Sequence, residues 1–349
     1  MLWALAAAVA SERVDLPNGL TVVTEADSLL PETVLHLELA HGAAEDPVAG
    51  PGLAHLVEHL LCTAVRFEDG LDGRLRSVGG SVRAWTTHEA ITLEVAGPPE
   101  AAAWMGEALV AALRRPAVTP EELDRTRRVI ARERDVTPVN DLRSALWAGH
   151  PYGRPVLGDP DGYTLAEVDA AIRRATGVAG AVLAVIGPDA GVPLGVAELE
   201  AGTPLVPPGI ALVRRVHRGD ELGWALPHLP SKETAAIEVA AELLAERWPT
   251  RLASGAWGTS LILTHVSEES AIYAYLRDTN RRLVSDAVAA AVRRIAAADR
   301  AGSVTAADRA RVLAACALDA TTCPDARAAA RTELDVGGVR AALTLLGDT

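Results

Sequence analysis

The sequence predicts an α+β fold of two similar-sized lobes, each a mainly antiparallel sheet with helices packed on it. Three observations predict it. Strand-like alternation and helix-like periodicity are interleaved in both halves of the 349 residues. Pro204, Pro207, Pro208 and two glycines make 201–210 read as a linker. The chain is 49% apolar with one Phe and four Tyr, so aliphatic side chains must fill the cores, as they do where helices cover sheets. The resulting division is an N-terminal segment at 1–12, a first lobe at 13–200, the linker at 201–210, and a second, shorter lobe at 211–349.

In chain order, residues 13–24 read as two strand pieces around an Asn18-Gly19 turn. Residues 33–40 alternate as a half-buried strand. A helix is expected over 51–64, opening near Pro51, where a missing N–H does no harm. A second helix over 71–78 stops at Gly79 and Gly80, and 81–95 alternates again with Ile91, Leu93 and Val95 on one face. An Ala-rich helix follows at 100–114. Thr119, Pro120 and Glu122 form a capping-box start for a helix running to about Asp135. His150-Pro-Tyr-Gly153 opens a loop, Thr164 caps another helix, and 181–187 is an apolar strand. In the second lobe, helices are expected at 233–247, 284–298 and 305–317, with strands at 210–216, 260–265 and 270–276.

Composition excludes some functions. The net charge of −13 leaves no basic footprint for nucleic acid. Cys62, Cys316 and Cys323 are an odd count without C-x-x-C spacing, against a disulfide framework or a cysteine metal site. Residues 1–10 are apolar and end in Ala8-Val9-Ala10 before Ser11, like a signal-peptidase site, though no basic n-region precedes them. They read either as the remnant of an export signal, favouring an exported or periplasmic location over the cytoplasmic alternative, or as a packed N-terminal segment. No other run is long enough to span a bilayer.

The chemistry concentrates in His55-Leu56-Val57-Glu58-His59. On a helix His55 and His59 lie one turn apart on one face, placed to hold a single metal, with Glu58 at the same edge to reach a water. This is the inverted H-x-x-E-H order of a class of zinc peptidases. The competing reading is a solvated face with two unrelated histidines. A catalytic zinc needs a third protein ligand. Glu133 is the best candidate, because on the helix 120–135 it shares a face with Leu123, Val129 and Ile130, where an unpartnered carboxylate is costly. Its competing reading is an ion pair with Arg127, Arg128, Arg132 or Arg134 near the helix end.

Five further segments occur in order. They are Val14-Asp-Leu-Pro-Asn-Gly-Leu20, His41-Gly42 through Asp46-Pro47 to His59, Gly79-Gly80 with Ala84-Trp-Thr86 and Glu89-Ala-Ile-Thr92, Arg128-Val-Ile-Ala-Arg-Glu133, and His150-Pro-Tyr-Gly153 with Gly158. Over most of 13–190 the chain resembles the pitrilysin–insulinase–mitochondrial processing peptidase family. The resemblance implies that Zn2+ is held by His55, His59 and Glu133. It implies that Glu58 takes a proton from the attacking water and returns it to the leaving amine. It implies that the strand at Ala84, Trp85 and Thr86 pairs with an extended peptide substrate. The first lobe would then be catalytic and the second a non-catalytic domain of similar fold. Two positions depart from the family. Thr126 stands where a second glutamate commonly supports the metal site, and Arg83 where Asn is usual. In the second lobe Arg251 and Trp257 only faintly echo the family's substrate-gripping Arg and Tyr. Tyr273 and Tyr275 are other possibilities for that grip, against the more usual role of alternating strand aromatics as core residues. Family members of this size commonly act as homodimers, or as heterodimers of an active and an inactive subunit. A zinc-dependent peptidase for unfolded or short peptides is thus expected, the alternative being a zinc-binding, non-catalytic assembly or peptide-clamp subunit. His41 reads as a turn residue with Gly42 in preference to a residue near the site, and His88 as a polar strand-end residue in preference to a substrate contact.

Overall fold

The computed structural model describes residues 11–348 except 49, 64–69, 115–117, 137–140, 204–213, 228, 230, 256–257, 267, 303–304 and 319–323. The segment 1–10, most of the expected linker, Cys323 and Trp257 therefore lie outside the described residues. The chain forms two compact units, each discontinuous in sequence. One comprises Met1–Pro138, Arg154–Leu205 and Val304–Leu318, the other Val139–Gly153, Val206–Ser303 and Asp319–Thr349.

The first unit is built on a six-stranded sheet. Its strands are β1 (Ser11–Asp15), β2 (Thr21–Ala26), β3 (Thr33–Leu39), β4 (Ser81–Thr86), β5 (Ile91–Gly97) and β6 (Val182–Gly187). They lie in the order β1-β2-β6-β3-β5-β4, and every pairing is antiparallel except β2 with β6. The first hairpin turns at Asn18-Gly19, where Gly19 takes φ +82°.

Strand β3 reads TVLHLEL and is buried on both faces. Leu35, Leu37 and Leu39 point into a core shared with α1 (Leu53–Thr63), α2 (Gly70–Arg76), α3 (Ala102–Leu113), α4 (Pro120–Val136) and α6 (Leu165–Ala175). The alternate residue Val34, with Val182, Ala184 and Ile186 of β6, faces one further helix, Ala306–Leu318, through Ala306, Ala310 and Ala314. Small side chains at that spacing form one helical stripe and let the helix lie close to the sheet. Arg309 pairs with Glu25 and Asp27, and Arg311 makes two 3.0 Å bonds to Glu94, fixing the helix along the strands. The helix expected at 305–317 thus forms, but on the first sheet.

The second unit holds an antiparallel four-stranded sheet of β7 (Arg214–Arg218), β8 (Glu221–Leu226), β9 (Thr250–Gly255) and β10 (Gly258–Leu263), in the order β7-β8-β10-β9. Its helices are α5 (Asp141–Leu146), α7 (Ser231–Ala245), α8 (Glu269–Arg282), α9 (Ser285–Gly302), α11 (Pro324–Thr332) and α12 (Val336–Asp348); the helix Ala306–Leu318 of the first unit is α10. The core centres on Trp224, fully buried, whose Nε1 donates to the Leu346 carbonyl at 3.0 Å. The strand expected at 270–276 is corrected to helix α8. Ile272 and Leu276, four residues apart, are both buried, and Tyr273 and Tyr275 flank that stripe. The alternation of AIYAYL fitted either period, and the length of the continuous element decides for helix.

Candidate metal centre

The metal helix α1 starts without a local side-chain cap. Asp46 replaces one from six residues upstream. Its Oδ2 accepts from the N–H groups of Gly52 (2.6 Å) and Leu53 (3.1 Å), and its Oδ1 from Ala54 (2.9 Å). Three of the four free donors of the first turn are thereby satisfied by one buried carboxylate. Burial pushes the Asp46 carboxyl up to about 6, while the three N–H bonds and nearby Arg154 pull it down.

The loop after Arg154 holds this start in place. Arg154 donates to the carbonyls of Ala44 (3.1 Å) and Asp46 (2.5 Å), and Tyr163 donates to the Gly50 carbonyl. Gly52, at φ +106°, and Gly158 meet backbone to backbone, and a Cβ on Gly158 would lie 1.9 Å from the Pro51 carbonyl oxygen. His88 contributes by a 2.9 Å bond from its ring to the Arg154 carbonyl, and His41 pairs with Glu45 at 2.6 Å. The turn and strand-end roles of these two histidines thus support the approach to α1.

One turn into α1 the side chains converge. His55 Nε2 and His59 Nε2 are 3.3 Å apart. Glu133 Oε2, from α4, lies 3.2 Å from His59 Nε2 and 3.5 Å from His55 Nε2. A tetrahedral ion with bonds near 2.0–2.1 Å requires ligand atoms about 3.3–3.4 Å apart. The three donors match the edges of such a tetrahedron, and two imidazoles with one carboxylate suit zinc. Burial, then the neighbouring His59, lowers the His55 pKa to about 4 against the opposing pull of Glu133, so its ring is neutral and able to ligate at physiological pH. His55 Nδ1 is buried without a hydrogen-bond partner among the described residues.

Glu58 is buried beside this cluster, its Oε2 3.9 Å from His55 Nε2, and burial raises its pKa. Its one hydrogen bond among the described residues comes from Thr86 Oγ1, at 2.7 Å. Glu133 stands on an inward stripe of α4 formed by Leu123, Thr126 and Ile130, all buried. Val129 was expected on that stripe but is 38% exposed, because it lies about 90° around the helix from the centre of the buried residues.

Along β4, alternate residues divide between the two faces of the sheet. Val82 and Ala84 pack on the helix-side core, and Thr86 follows them toward Glu58. Trp85 faces the other way, its ring 5.7 Å from His36 and under the Arg311 guanidinium. Of the residues expected at the substrate strand, Ala84 and Thr86 therefore face the metal helix and the Trp85 side chain does not. Arg251 lies in the second unit on β9, where it pairs with Glu221 at 3.0 Å. Thr86 was expected to pair with substrate, but the bonds from its hydroxyl to Glu58 and from the start of α1 to Asp46 were not foreseen from sequence. Both act across separate elements and carry no local spacing signal.

Residues 21–160 match the family model described as Insulinase (Peptidase family M16). The chain is 26% identical over 261 residues to the beta subunit of the mitochondrial-processing peptidase of Blastocladiella emersonii. That match takes in 70% of this chain and 56% of the relative, so the chain spans little more than half the relative's length. Among solved structures, a protease from Helicobacter pylori superposes with a TM-score of 0.78 at 17% identity, covering 96% of both chains. The periplasmic protease PqqL from Escherichia coli superposes with a TM-score of 0.74 at 15% identity, covering 96% of this chain and 46% of that one.

Proposed function

We propose that this chain, which has the insulinase-family (M16) zinc-peptidase fold with the inverted motif His55-x-x-Glu58-His59, hydrolyses peptide bonds in unfolded or short peptides with Glu58 as the general base. One observation carries the reading: three ligand atoms 3.2–3.5 Å apart, with a buried carboxylate next to them on the same helix.

His55, His59 and Glu133 would hold a zinc ion, which would supply Lewis-acid activation of water and of a scissile carbonyl. Glu58 takes the proton of the attacking water and delivers it to the leaving amine. Strand β4, last in the sheet order, offers its open side to an extended peptide at Ala84–Thr86, so that main-chain hydrogen bonds hold substrates with little regard to sequence. In this scheme the unit that holds α1 and α4 carries the chemistry and the unit built on β7–β10 is a non-catalytic companion, with Arg251 as its candidate substrate contact. A second copy or a related subunit completes the working assembly. This is supported by the relative's being named a subunit. An exported location is supported by the periplasmic PqqL of the same fold. Among the described residues no helix is long and apolar enough to cross a membrane.

The test is zinc content and cleavage of a quenched-fluorescent peptide library by the purified chain, against Glu58→Gln. We expect close to one zinc per chain in both proteins and a loss of at least about a hundredfold in cleavage by the variant. Cleavage that survives Glu58→Gln or chelation overturns the peptidase assignment. Zinc without cleavage, persisting when partner subunits are supplied, points instead to a non-catalytic peptide clamp.

A further inference from the structure

We propose that Thr86 is a positioning residue that holds Glu58 as a base and keeps it from turning into the metal's ligand set. The kinetic part of this inference rests on the peptidase reading above. Glu58 Oε2 is 3.9 Å from His55 Nε2, only slightly farther than the 3.2–3.5 Å that separates the three ligand atoms. A modest side-chain rotation would therefore bring this carboxylate onto the ion as a further ligand, closing the position that water must occupy.

The Thr86 hydroxyl opposes that rotation. It donates to Oε2 at 2.7 Å, and the other oxygen, Oε1, makes no hydrogen bond among the described residues. One carboxylate oxygen is thus tied down and the other is left to exchange a proton.

The donor is itself rigidly mounted. Thr86 is the last residue of β4, paired with Ile91 of β5. The turn beyond it is closed by the Thr87 N–H on the Ala90 carbonyl (2.8 Å) and by the Thr87 hydroxyl, which accepts from the Ala90 N–H (2.9 Å). The Thr87 carbonyl in turn accepts from the Ala43 N–H at 2.9 Å, tying the strand end to the approach to α1. Glu58 is therefore fixed between two elements, by its own helix and by the end of the sheet. A site whose groups are held on regular elements gains from this kind of second support.

The test compares wild type with Thr86→Val, which keeps the shape and removes the donor, and Thr86→Ser, which keeps the donor. Steady-state kinetics, zinc content and crystal structures of the zinc-loaded proteins are measured. We expect Thr86→Val to lose about ten- to a hundredfold in kcat with KM within about twofold. Zinc should stay at one per chain, with the Glu58 carboxylate turned from its wild-type position, and Thr86→Ser should recover most of the lost rate. A Thr86→Val protein with unchanged kcat, a loss confined to KM, or a serine variant as slow as the valine one overturns the proposal. So does an unmoved Glu58 in the valine structure. A wild-type protein that cleaves nothing even when partner subunits are supplied refutes the peptidase reading instead, and the Glu58 orientation in the crystals still decides the role of Thr86.

Discussion

His36 is a fully buried histidine held between two carboxylates, its Nδ1 3.2 Å from Glu94 and its Nε2 3.0 Å from Glu38. Arg311 and Trp85 complete the enclosure. Burial alone would lower its pKa, but the bonds to Glu38 and Glu94 outweigh it and the pKa is raised above 6.5. The stabilisation this provides is complete below the unfolded value and is lost as pH rises through the folded one. Glu94 behaves oppositely. Burial would raise it, yet His36 and Arg311 hold it below 4.5, so its contribution is present above that value and is lost in acid. The network is therefore strongest between the two ordinary values. In urea unfolding, the stability advantage of wild type over His36→Gln should shrink as pH is raised above 6.5. An advantage that stays constant would mean that folding leaves the His36 pKa unshifted, and one that grows would mean that the folded protein holds the ring neutral.

At the scale of elements, the metal helix depends on Asp46. Replacing it with Ala leaves three N–H groups of the first turn without their acceptor, and should cost about 2 kcal/mol of stability and weaken zinc binding. Denaturant titration and chelator competition measure the two effects; zinc affinity equal to wild type would mean the helix start does not set the ligand positions. The same element shows what the sequence could reveal. His55, Glu58 and His59 are legible because a helix converts spacing directly into geometry. The box at Thr119 and Glu122 is equally local, and both of its hydrogen bonds form, at 2.9 and 3.2 Å. Glu133 needed an inference about facing surfaces, and the stripe that carries it turned out to include Thr126 in place of Val129. Contacts made between distant segments were not legible. Nothing in the spacing tells that Thr86 meets Glu58, that Gly158 abuts Pro51, or that Arg309 and Arg311 reach strands some two hundred residues or more earlier in the chain. Helix α8 was misread for a related reason, since a short apolar run fits a strand or a helix until its neighbours are placed.

For the whole molecule, the metal is expected to act as a ligand of the folded state. Zinc at a hundred times its dissociation constant adds about 2.7 kcal/mol, which moves the melting temperature of a unit of this size by roughly 5–10 °C. Chelation should lower Tm by that amount and added zinc should restore it, as followed by scanning calorimetry; a Tm indifferent to zinc would sink the three-ligand site. The seating of α10 has a consequence of a different kind, in the timing of biosynthesis. The last strand of the first sheet ends at Gly187, whereas the alanine stripe that covers its outer face ends at Ala314. During translation, the faces of Val34, Val182, Ala184 and Ile186 wait for a further ~130 residues, on the order of ten seconds at ribosomal speed. The nascent sheet thus spends that interval with one apolar face uncovered, making the ribosome-bound chain a natural client for a holding chaperone until α10 emerges.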